Sequence, residues 1–324
     1  MGLREYAIRR AIECVVLLIL ATTLNFFIFR LMPGNPLAMY IENPMFKAET
    51  KQLLIKRFGL DRPLWEQFLI YFKNMFTGYY GISFRYLKPV SELIFGPRLF
   101  NTVVLMMSST LLAVLLGVIF GVVSAWRRGT KVDVSSLVVG LVLYSMPVFW
   151  LGLLILLVFA YYFGILPFGG TITRGLHHQN LLHYIADYLW HLLAPMTTLT
   201  LINFGSYLLI VRNTMLDVLT QDYMLTAVAI GVDKRTLLFS YAMRNAMLPL
   251  VTIVAINLAF VMSGAVITET VFSWYGMGRL IYSSVMERDY PVLEATFWFI
   301  AVMVIIANFI ADIVYAYLDP RIRY

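Results

Sequence analysis

The sequence of 324 residues has few charged residues and a single cysteine. Only 13% of its residues are charged and 60% are hydrophobic, a balance far outside the range of soluble globular proteins. The cysteine, Cys14, lies in the first apolar run and excludes an intrachain disulfide. The composition therefore predicts a polytopic membrane protein. The formal net charge of +7 is interpreted as a determinant of membrane orientation and not as a nucleic-acid surface.

The sequence also lacks the motifs of ATP-binding and hydrolytic enzymes. It has no GxxxxGKS/T phosphate loop, no HExxH and no GxSxG. We therefore expect that the chain is not an enzyme and binds no cofactor of its own. The histidines have neither the i, i+4 spacing of a zinc motif nor a cysteine nearby, so we predict contact roles and no metal for them. They are His177, His178, His183 and His191.

Six apolar runs reach the length of about 20 residues that a membrane-spanning helix needs. In the resulting layout twelve Lys and Arg residues lie in inner segments, and three, Arg174, Arg279 and Arg288, lie in short outer loops. This asymmetry predicts cytoplasmic N- and C-termini. The sequence thus predicts an all-α membrane protein with six transmembrane helices. The runs lie near residues 8–31, 100–126, 136–163, 193–215, 248–271 and 296–318.

Three segments of different character divide the chain. Residues 1–31 hold the cytoplasmic N-terminus and the first span, residues 32–99 form an extracytoplasmic loop domain, and residues 100–324 form a core of five spans. The core includes a cytoplasmic loop at residues 216–249. A stretch rich in histidine and leucine, residues 176–193, is predicted to be an amphipathic helix along the outer surface.

Within the cytoplasmic loop, the charged stretch 222–249 must lie in water or against another protein. Apolar spacing predicts a short helix that ends at Gly231, which can take the left-handed conformation. Asp233 is predicted to cap a second helix, and Pro249 opens the next apolar run. The spacing does not distinguish a docking element from an ordinary loop. The apolar face predicted for the first helix consists of Tyr223, Met224, Ala227 and Ile230.

Polar side chains are sparse inside the apolar runs, and a hydrophilic solute would need such groups along its path. Hydrogen bonding between helices explains each of them equally well. In the third run, Pro147 removes one helix hydrogen bond and predicts a kink, which is either a gate hinge or a static bend. The candidates for a solute path are Asn203, Asn257, Ser263, Thr268 and Glu269.

The outer segment contains FGLDRPLWEQF and GISFRYLKPV, and the third run contains SMPVFWLG. These segments resemble the oligopeptide/dipeptide permease family of ABC importers. The resemblance is closest in GAVITETVFSWYGMGRLIYSSVMERDYPVLEA, which begins at Gly264, and in the terminal YAYLDPRIRY. The spacing from Gly231 to Pro249 is similar to the long form of the EAA loop in that family. The positions that give this loop its name read Leu225, Thr226 and Ala227 here.

The resemblance implies a type I ABC importer permease fold in the plasma membrane of a prokaryote. It implies a heterodimer with a homologous second permease, two cytoplasmic ATPase subunits that carry ATP and Mg, and an extracytoplasmic solute-binding protein. It also implies that the charged stretch couples the permease to the ATPase subunits. The matching residues are Asp222, Tyr223, Thr226, Ala227, Gly231, Arg244, Asn245 and Pro249.

The solute that the resemblance implies is an oligopeptide or dipeptide, with oligosaccharides or nickel complexes as the alternative. A second alternative is a secondary transporter driven by an ion gradient, because Glu269 and Asp312 lie in apolar runs. Against this class, the sequence shows neither an internal repeat nor a matched pair of broken helices. A scaffold protein is a third class that the helical loop alone does not exclude.

Overall fold

The computed structural model describes residues 3–31, 48–49, 52, 55–56 and 61–318, and these residues are mostly helical. In this described part the only β-pairing is an isolated bridge between Ile82 and Pro89. The predicted all-α class is therefore confirmed. The inner basic residues Arg321 and Arg323, the terminal YAYLDPRIRY from Asp319 onward and the side chain of Ser263 lie outside the described residues.

The helices are numbered α1 to α13 in chain order. The first five helices are α1 (Leu3–Leu31), α2 (Leu64–Thr77), α3 (Val90–Ile94), α4 (Pro97–Trp126) and α5 (Lys131–Ser145). Next come α6 (Val148–Ile155), which continues as a π-helical turn at Leu156–Tyr162, then α7 (Leu181–Leu219) and α8 (Asp222–Ala229). Helix α9 (Lys234–Ala246) contains a π-helical turn at Leu237–Ala242. The last helices are α10 (Leu248–Ala259), α11 (Val266–Val271), α12 (Met277–Met286) and α13 (Tyr290–Leu318), with a 3-10 turn at Val261–Ser263 after α10.

Four helical segments of the described chain are long and apolar enough to cross a membrane. They are Glu5–Leu31, Val90–Trp126, Leu181–Leu219 and Tyr290–Ile313. Two bent pairs, α5 with α6 and α9 with α10, raise the number to six if each pair is one span. The six spans and the cytoplasmic termini stay predictions.

The third apolar run is broken at Pro147. Helix α5 ends at Ser145, α6 begins at Val148, and the two helices meet at an angle of 103°. Met146 has the extended conformation (φ −73°, ψ 136°) that a following proline favours. The predicted kink is confirmed, and the role of Pro147 as a hinge stays a prediction.

The predicted fifth span, residues 248–271, is not one helix. Helix α10 has 12 residues and extends for about 18 Å, which is short of the hydrocarbon thickness of about 30 Å. Gly264 has a φ of +79°, a left-handed conformation that no regular helix continues through. The apolar run 248–271 is therefore broken, as the third run is at Pro147, and the absence of a matched, repeat-related pair of broken helices stays a prediction. Hydropathy did not reveal the break because the apolar residues continue through it.

Helix α7 is a single helix of 39 residues, about 58 Å at 1.5 Å per residue. It contains most of the predicted amphipathic stretch as well as the fourth span, and it runs unbroken through Pro195. The stretch is helical from Leu181 onward, as predicted, but it continues into the predicted fourth span as one helix. The helix begins where the side chain of Asn180 accepts a hydrogen bond from the N–H of His183 at 2.8 Å.

The described residues group into two compact units. The first unit is drawn from Met1–Thr102, Met262–Val266 and Tyr275–Tyr324, and the second from Val103–Val261 and Ile267–Trp274. In the first unit α1 packs along α13, where Trp298 Nε1 donates to Thr22 Oγ1 at 3.0 Å. Near the other ends of these helices, Arg10 forms an ion pair with Asp312 at 3.1 Å. Asp312 therefore has a structural partner on a neighbouring helix.

The second unit is organised around α7, which packs closely against α4 and α5 through glycines. A Cβ atom added at Gly205 would lie 2.1 Å from the carbonyl oxygen of Gly140 on α5. One added at Gly117 on α4 would lie 2.4 Å from Cβ of Tyr207, and Gly121 continues the same contact one turn further along. Small residues thus let the three helices approach closely.

Candidate functional site

The charged stretch folds into two helices, α8 and α9, which together form a unit that we call the knob (residues 222–246). Helix α8 ends where Gly231 has a φ of +84°. The N–H groups of Gly231 and Val232 donate to the carbonyl oxygens of Val228 and Ala227 at 3.0 and 3.1 Å. The space around Gly231 is open, so its backbone conformation alone favours glycine. The predicted stop is confirmed.

Asp233 caps α9, as predicted. Its carboxylate accepts hydrogen bonds from the backbone N–H groups of Thr236 and Arg235, at 3.1 Å each. These hydrogen bonds, foremost those from Thr236, hold the pKa of Asp233 below its ordinary value. The carboxylate is therefore charged at neutral pH and complements the positive N-terminal end of the helix.

The inner face of the knob packs on the core of the second unit. Met224 and Ala227 of α8 are buried in the same cluster as Val211 and Met215 of α7. Asn245 also donates from Nδ2 to the hydroxyl oxygen of Tyr223 at 2.8 Å, which ties α9 to α8. The knob is therefore packed against the helix that leads into it. The buried residues that α9 contributes are Leu237, Leu238, Ala242 and Ala246.

The outer face of α8 is mainly apolar and exposed. Leu225, Val228 and Ile230 are 63%, 57% and 73% exposed. Periodicity placed Ile230 on one face with Met224 and Ala227, and this is wrong because the helix ends at Ala229 and Ile230 is its exposed C-cap. The hydroxyl of Thr226, which is uncharged, donates to the carbonyl oxygen of Asp222 at 3.1 Å. A partner that docks here would meet apolar surface.

The residues predicted to couple to a partner have different environments. Asp222 and Thr226 are exposed on α8, whereas Ala227 lies buried beneath them. Arg244 is exposed and forms no ion pair with the described residues. Pro249 lies in the first turn of α10, where its missing N–H is tolerated. The coupling role of these residues stays a prediction.

The two asparagines proposed for a solute path have partners within the second unit. Asn203 donates from Nδ2 to the carbonyl oxygen of Leu199 in its own helix, at 2.9 Å. Asn257 donates to the hydroxyl of Tyr207 at 2.7 Å and so links α10 to α7. The Asn257 bond is the hydrogen bonding between helices that the sequence left open, whereas the Asn203 bond lies within one helix. A path role stays a prediction for both.

Thr268 and Glu269, the other path candidates, lie in the short helix α11. They are 2% and 0% exposed, so neither lines an open channel in this conformation. The carbonyl oxygen of Glu269 accepts a hydrogen bond from the N–H of Trp274 at 2.8 Å and helps to end the helix. Ser273, which directly precedes Trp274, has a φ of +51°, in the left-handed region.

A buried ion pair that sequence analysis missed joins three helices. Arg212 of α7 donates from Nε and Nη2 to the carboxylate of Asp133 on α5, at 2.7 and 2.9 Å. Ser124 of α4 and the N–H of Gly129 donate to the same carboxylate at 2.5 and 2.9 Å. Two parallel charge-assisted bonds make this a strong and directional contact. It links α4 and α5 to the helix that carries the knob.

A second cluster surrounds the buried carboxylate of Asp187 on α7. Thr173 donates to it from its N–H at 2.8 Å and from its hydroxyl at 2.7 Å, and Nε2 of His178 lies 3.0 Å away. Nδ1 of His191 donates to the carbonyl oxygen of Asp187 at 2.8 Å. His183 and His191 lie on α7, whereas His177 and His178 precede it. Across the described ranges no group of three side chains has a metal-binding arrangement.

Comparison with known proteins gives matches over nearly the whole chain. The family described as binding-protein-dependent transport system inner membrane component matches residues 117–324, and the N-terminal family of such membrane components matches residues 3–105. The oligopeptide transport system permease protein AppB of Bacillus subtilis is 38% identical over 98% of this chain and 99% of its own length. The dipeptide transport system permease proteins DppB of Alkalihalophilus pseudofirmus and of Escherichia coli K12 are 35% and 31% identical, over at least 98% of each chain.

Proposed function

Since this chain belongs to the family of binding-protein-dependent transport system inner membrane components and is a multi-pass protein of the bacterial plasma membrane, we propose that it forms half of the translocation path of an ATP-driven peptide importer. The relatives are named as oligopeptide and dipeptide permeases, which favours peptides over oligosaccharides or nickel complexes. The family is a transport permease and not an enzyme. ATP and Mg therefore bind to two separate ATPase subunits, a homologous permease completes the path, and an extracytoplasmic binding protein delivers the peptide.

The observation that carries this proposal is the two-faced knob. Its outer face exposes Leu225, Val228 and Ile230, and an apolar patch in water next to a charged rim is typical of a protein contact. Its inner face, through Met224 and Ala227, is packed against α7. A force on the outer face is therefore transmitted to a membrane-crossing helix and not dissipated in a flexible loop.

The mechanism follows from two-state linkage. Binding of ATP closes the ATPase pair, and the knob moves with the groove in which it is docked. Helix α7 follows, and the Asp133–Arg212 pair carries α4 and α5 with it. Because the chain is bent by 103° at Pro147, α6 points in a different direction from α5. The joint movement of these helices changes the path from inward-open to outward-open.

The test is to replace Gly231 with proline. Gly231→Pro fixes φ near −65°, where the native value is +84°, and removes the N–H that binds Val228. We expect ATP-driven uptake of a labelled tripeptide into proteoliposomes to fall about tenfold or more, a loss of about 1.4 kcal/mol in coupling. Hydrolysis of ATP should persist, because the ATPase subunits are unchanged.

Gly78→Pro is the matched control. Gly78 ends α2 with a φ of +78° and has open space around it, as Gly231 does, but lies outside the knob. Uptake by Gly231→Pro equal to that of Gly78→Pro would contradict the coupling role. Accumulation of peptide by this chain alone, driven by an ion gradient without ATP, would instead support the secondary transporter and refute the importer.

A further inference from the structure

A cavity of about 480 Å³ lies in the second unit beside the start of α7. We call it the loop cavity. Its wall consists of residues within 167–174, Trp190 and His191 of α7, and Ser273. By the predicted orientation it faces the extracytoplasmic side, from which a peptide arrives. Two other cavities, one at Pro147 and one between α4, α5 and α7, have no charged residue in their walls.

The loop that forms this cavity is held firmly in place. Three separate ties connect it to α7 and to the segment after α11. A loop fixed in this way loses little conformational freedom when a ligand binds, which favours recognition. The ties run from Trp190 Nε1 to the carbonyl oxygen of Ile165 at 2.9 Å, from the N–H of Gly170 to the carbonyl oxygen of Phe272 at 2.9 Å, and from Thr173 to Asp187 at 2.7 and 2.8 Å.

Arg174 follows directly after the last of these ties. Its side chain is exposed in the cavity wall and forms no ion pair with any residue of the described chain. A guanidinium group donates two parallel hydrogen bonds to a carboxylate, a geometry that a lysine cannot reproduce. Trp190 and Phe168 in the same wall are 40% and 65% exposed and offer apolar ring surface. The cavity therefore combines one cation with a place for an apolar side chain.

Ser273 gives an independent indication. The N–H of Ser273 donates to Thr270 and that of Trp274 to Glu269, which places Ser273 at the position after a helix where glycine is usual. Its φ of +51° is disfavoured for a residue with a Cβ atom. Residues held in such conformations cluster at ligand sites. Here the strained residue lies in the wall of the loop cavity.

We propose that the loop cavity is a subsite for the carboxyl-terminal end of a peptide, with Arg174 binding the carboxylate. The proposal rests on the peptide importer function and deepens it by naming peptides with an unmodified C-terminus as the substrate. The volume of about 480 Å³ lies in the usual range of small-ligand pockets, about 300–1,000 Å³. Trp190 and Phe168 contact the last side chain of the peptide.

The test uses the complete importer in membranes and a tripeptide with a photoreactive diazirine in its last side chain. The peptide is prepared with a free C-terminal carboxylate and as the C-terminal amide, and cross-links are mapped by mass spectrometry. The acid should label residues 165–175 and Trp190 about tenfold more than the amide, the effect of about one charge-assisted hydrogen bond. Arg174→Gln should reduce labelling by the acid to the level of the amide. Arg174→Lys should keep an intermediate preference.

Lys88→Gln removes an exposed cation elsewhere in the outer part of the chain and should leave the preference unchanged. Equal labelling by acid and amide, unchanged labelling in Arg174→Gln, or cross-links that include neither residues 165–175 nor Trp190 would each overturn the proposal. Displacement of the acid by millimolar inorganic phosphate would also overturn it, because it would reveal an unselective anion site. Absence of ATP-driven uptake of the acid by the unaltered importer would refute the importer function itself. ATP-driven uptake of the acid, combined with equal labelling of the loop by acid and amide, would refute the subsite and leave the importer function standing.

Discussion

At the residue scale, a buried ion pair of opposite charges stabilises the second unit. Asp133 and Arg212 have side chains that are 4% and 15% exposed, so water does not screen their interaction fully. Exposed ion pairs contribute about 0–1 kcal/mol. Breaking a buried pair by removing one partner costs about 3–5 kcal/mol, because the remaining charge is left without a partner. The pair also holds α4, α5 and α7 together where the chain approaches the knob.

We therefore predict that Asp133→Asn lowers the free energy of unfolding by about 3–5 kcal/mol, measured by thermal unfolding of the purified protein in detergent. Asp217→Asn makes the same change at an exposed position of α7 and should shift stability by no more than about 0.5 kcal/mol. Equal destabilisation by the two variants would show that the buried pair has no special role.

At the scale of elements, α7 determines the packing of the second unit. Its glycine contact with α5 leaves no room for a side chain, since a Cβ atom at Gly205 meets backbone and not the flexible end of a side chain. Backbone cannot move aside unless the helix moves. The tight contact between α7 and α5, together with the packing of the knob on α7, lets the three elements move as one body.

Gly205→Leu should force α7 and α5 apart, at a cost at or above the range of about 1–3 kcal/mol for overpacking. We expect a lower yield of monodisperse protein after detergent extraction, measured by fluorescence-detected size-exclusion chromatography. Ala186→Leu introduces the same side chain on an exposed face of α7 and serves as the control. If both variants elute with the same profile and yield, close packing at Gly205 is not required.

At the scale of the whole molecule, the direction in which α7 crosses the membrane decides which side each proposed site faces. The knob follows the end of α7, and the loop cavity lies next to its start. The importer mechanism requires the knob in the cytoplasm and the loop cavity outside. Twelve inner against three outer basic residues favour this orientation.

A labelling experiment tests this topology, because Cys14 is the only cysteine to remove. In a Cys14→Ser background, Leu176→Cys should react with a membrane-impermeant maleimide in spheroplasts. Val228→Cys on the knob should react only in inside-out vesicles. Both positions are exposed in the folded chain, so access depends on the side of the membrane. Reaction of both cysteines from one side would mean that α7 does not cross the membrane, and the reverse pattern would invert the orientation.

The sequence by itself determined the features that depend on neighbouring residues. The stop at Gly231, the cap at Asp233 and the break at Pro147 each follow from the backbone preferences or hydrogen bonds of a few adjacent positions. Composition likewise sufficed for the class of protein. These properties are local or averaged, so no tertiary contact can reverse them easily.

Only the tertiary structure decided which residues far apart in the chain meet. Asp133 and Arg212 are 79 positions apart, and no periodicity indicates that they pair. The length of α7 and the break near Gly264 likewise depend on packing and chain direction. The sequence identified Arg174 only as one of three basic residues in the short outer loops. Its place in a cavity depends on ties to Asp187 and Phe272, because a loop takes its form from the elements that hold it.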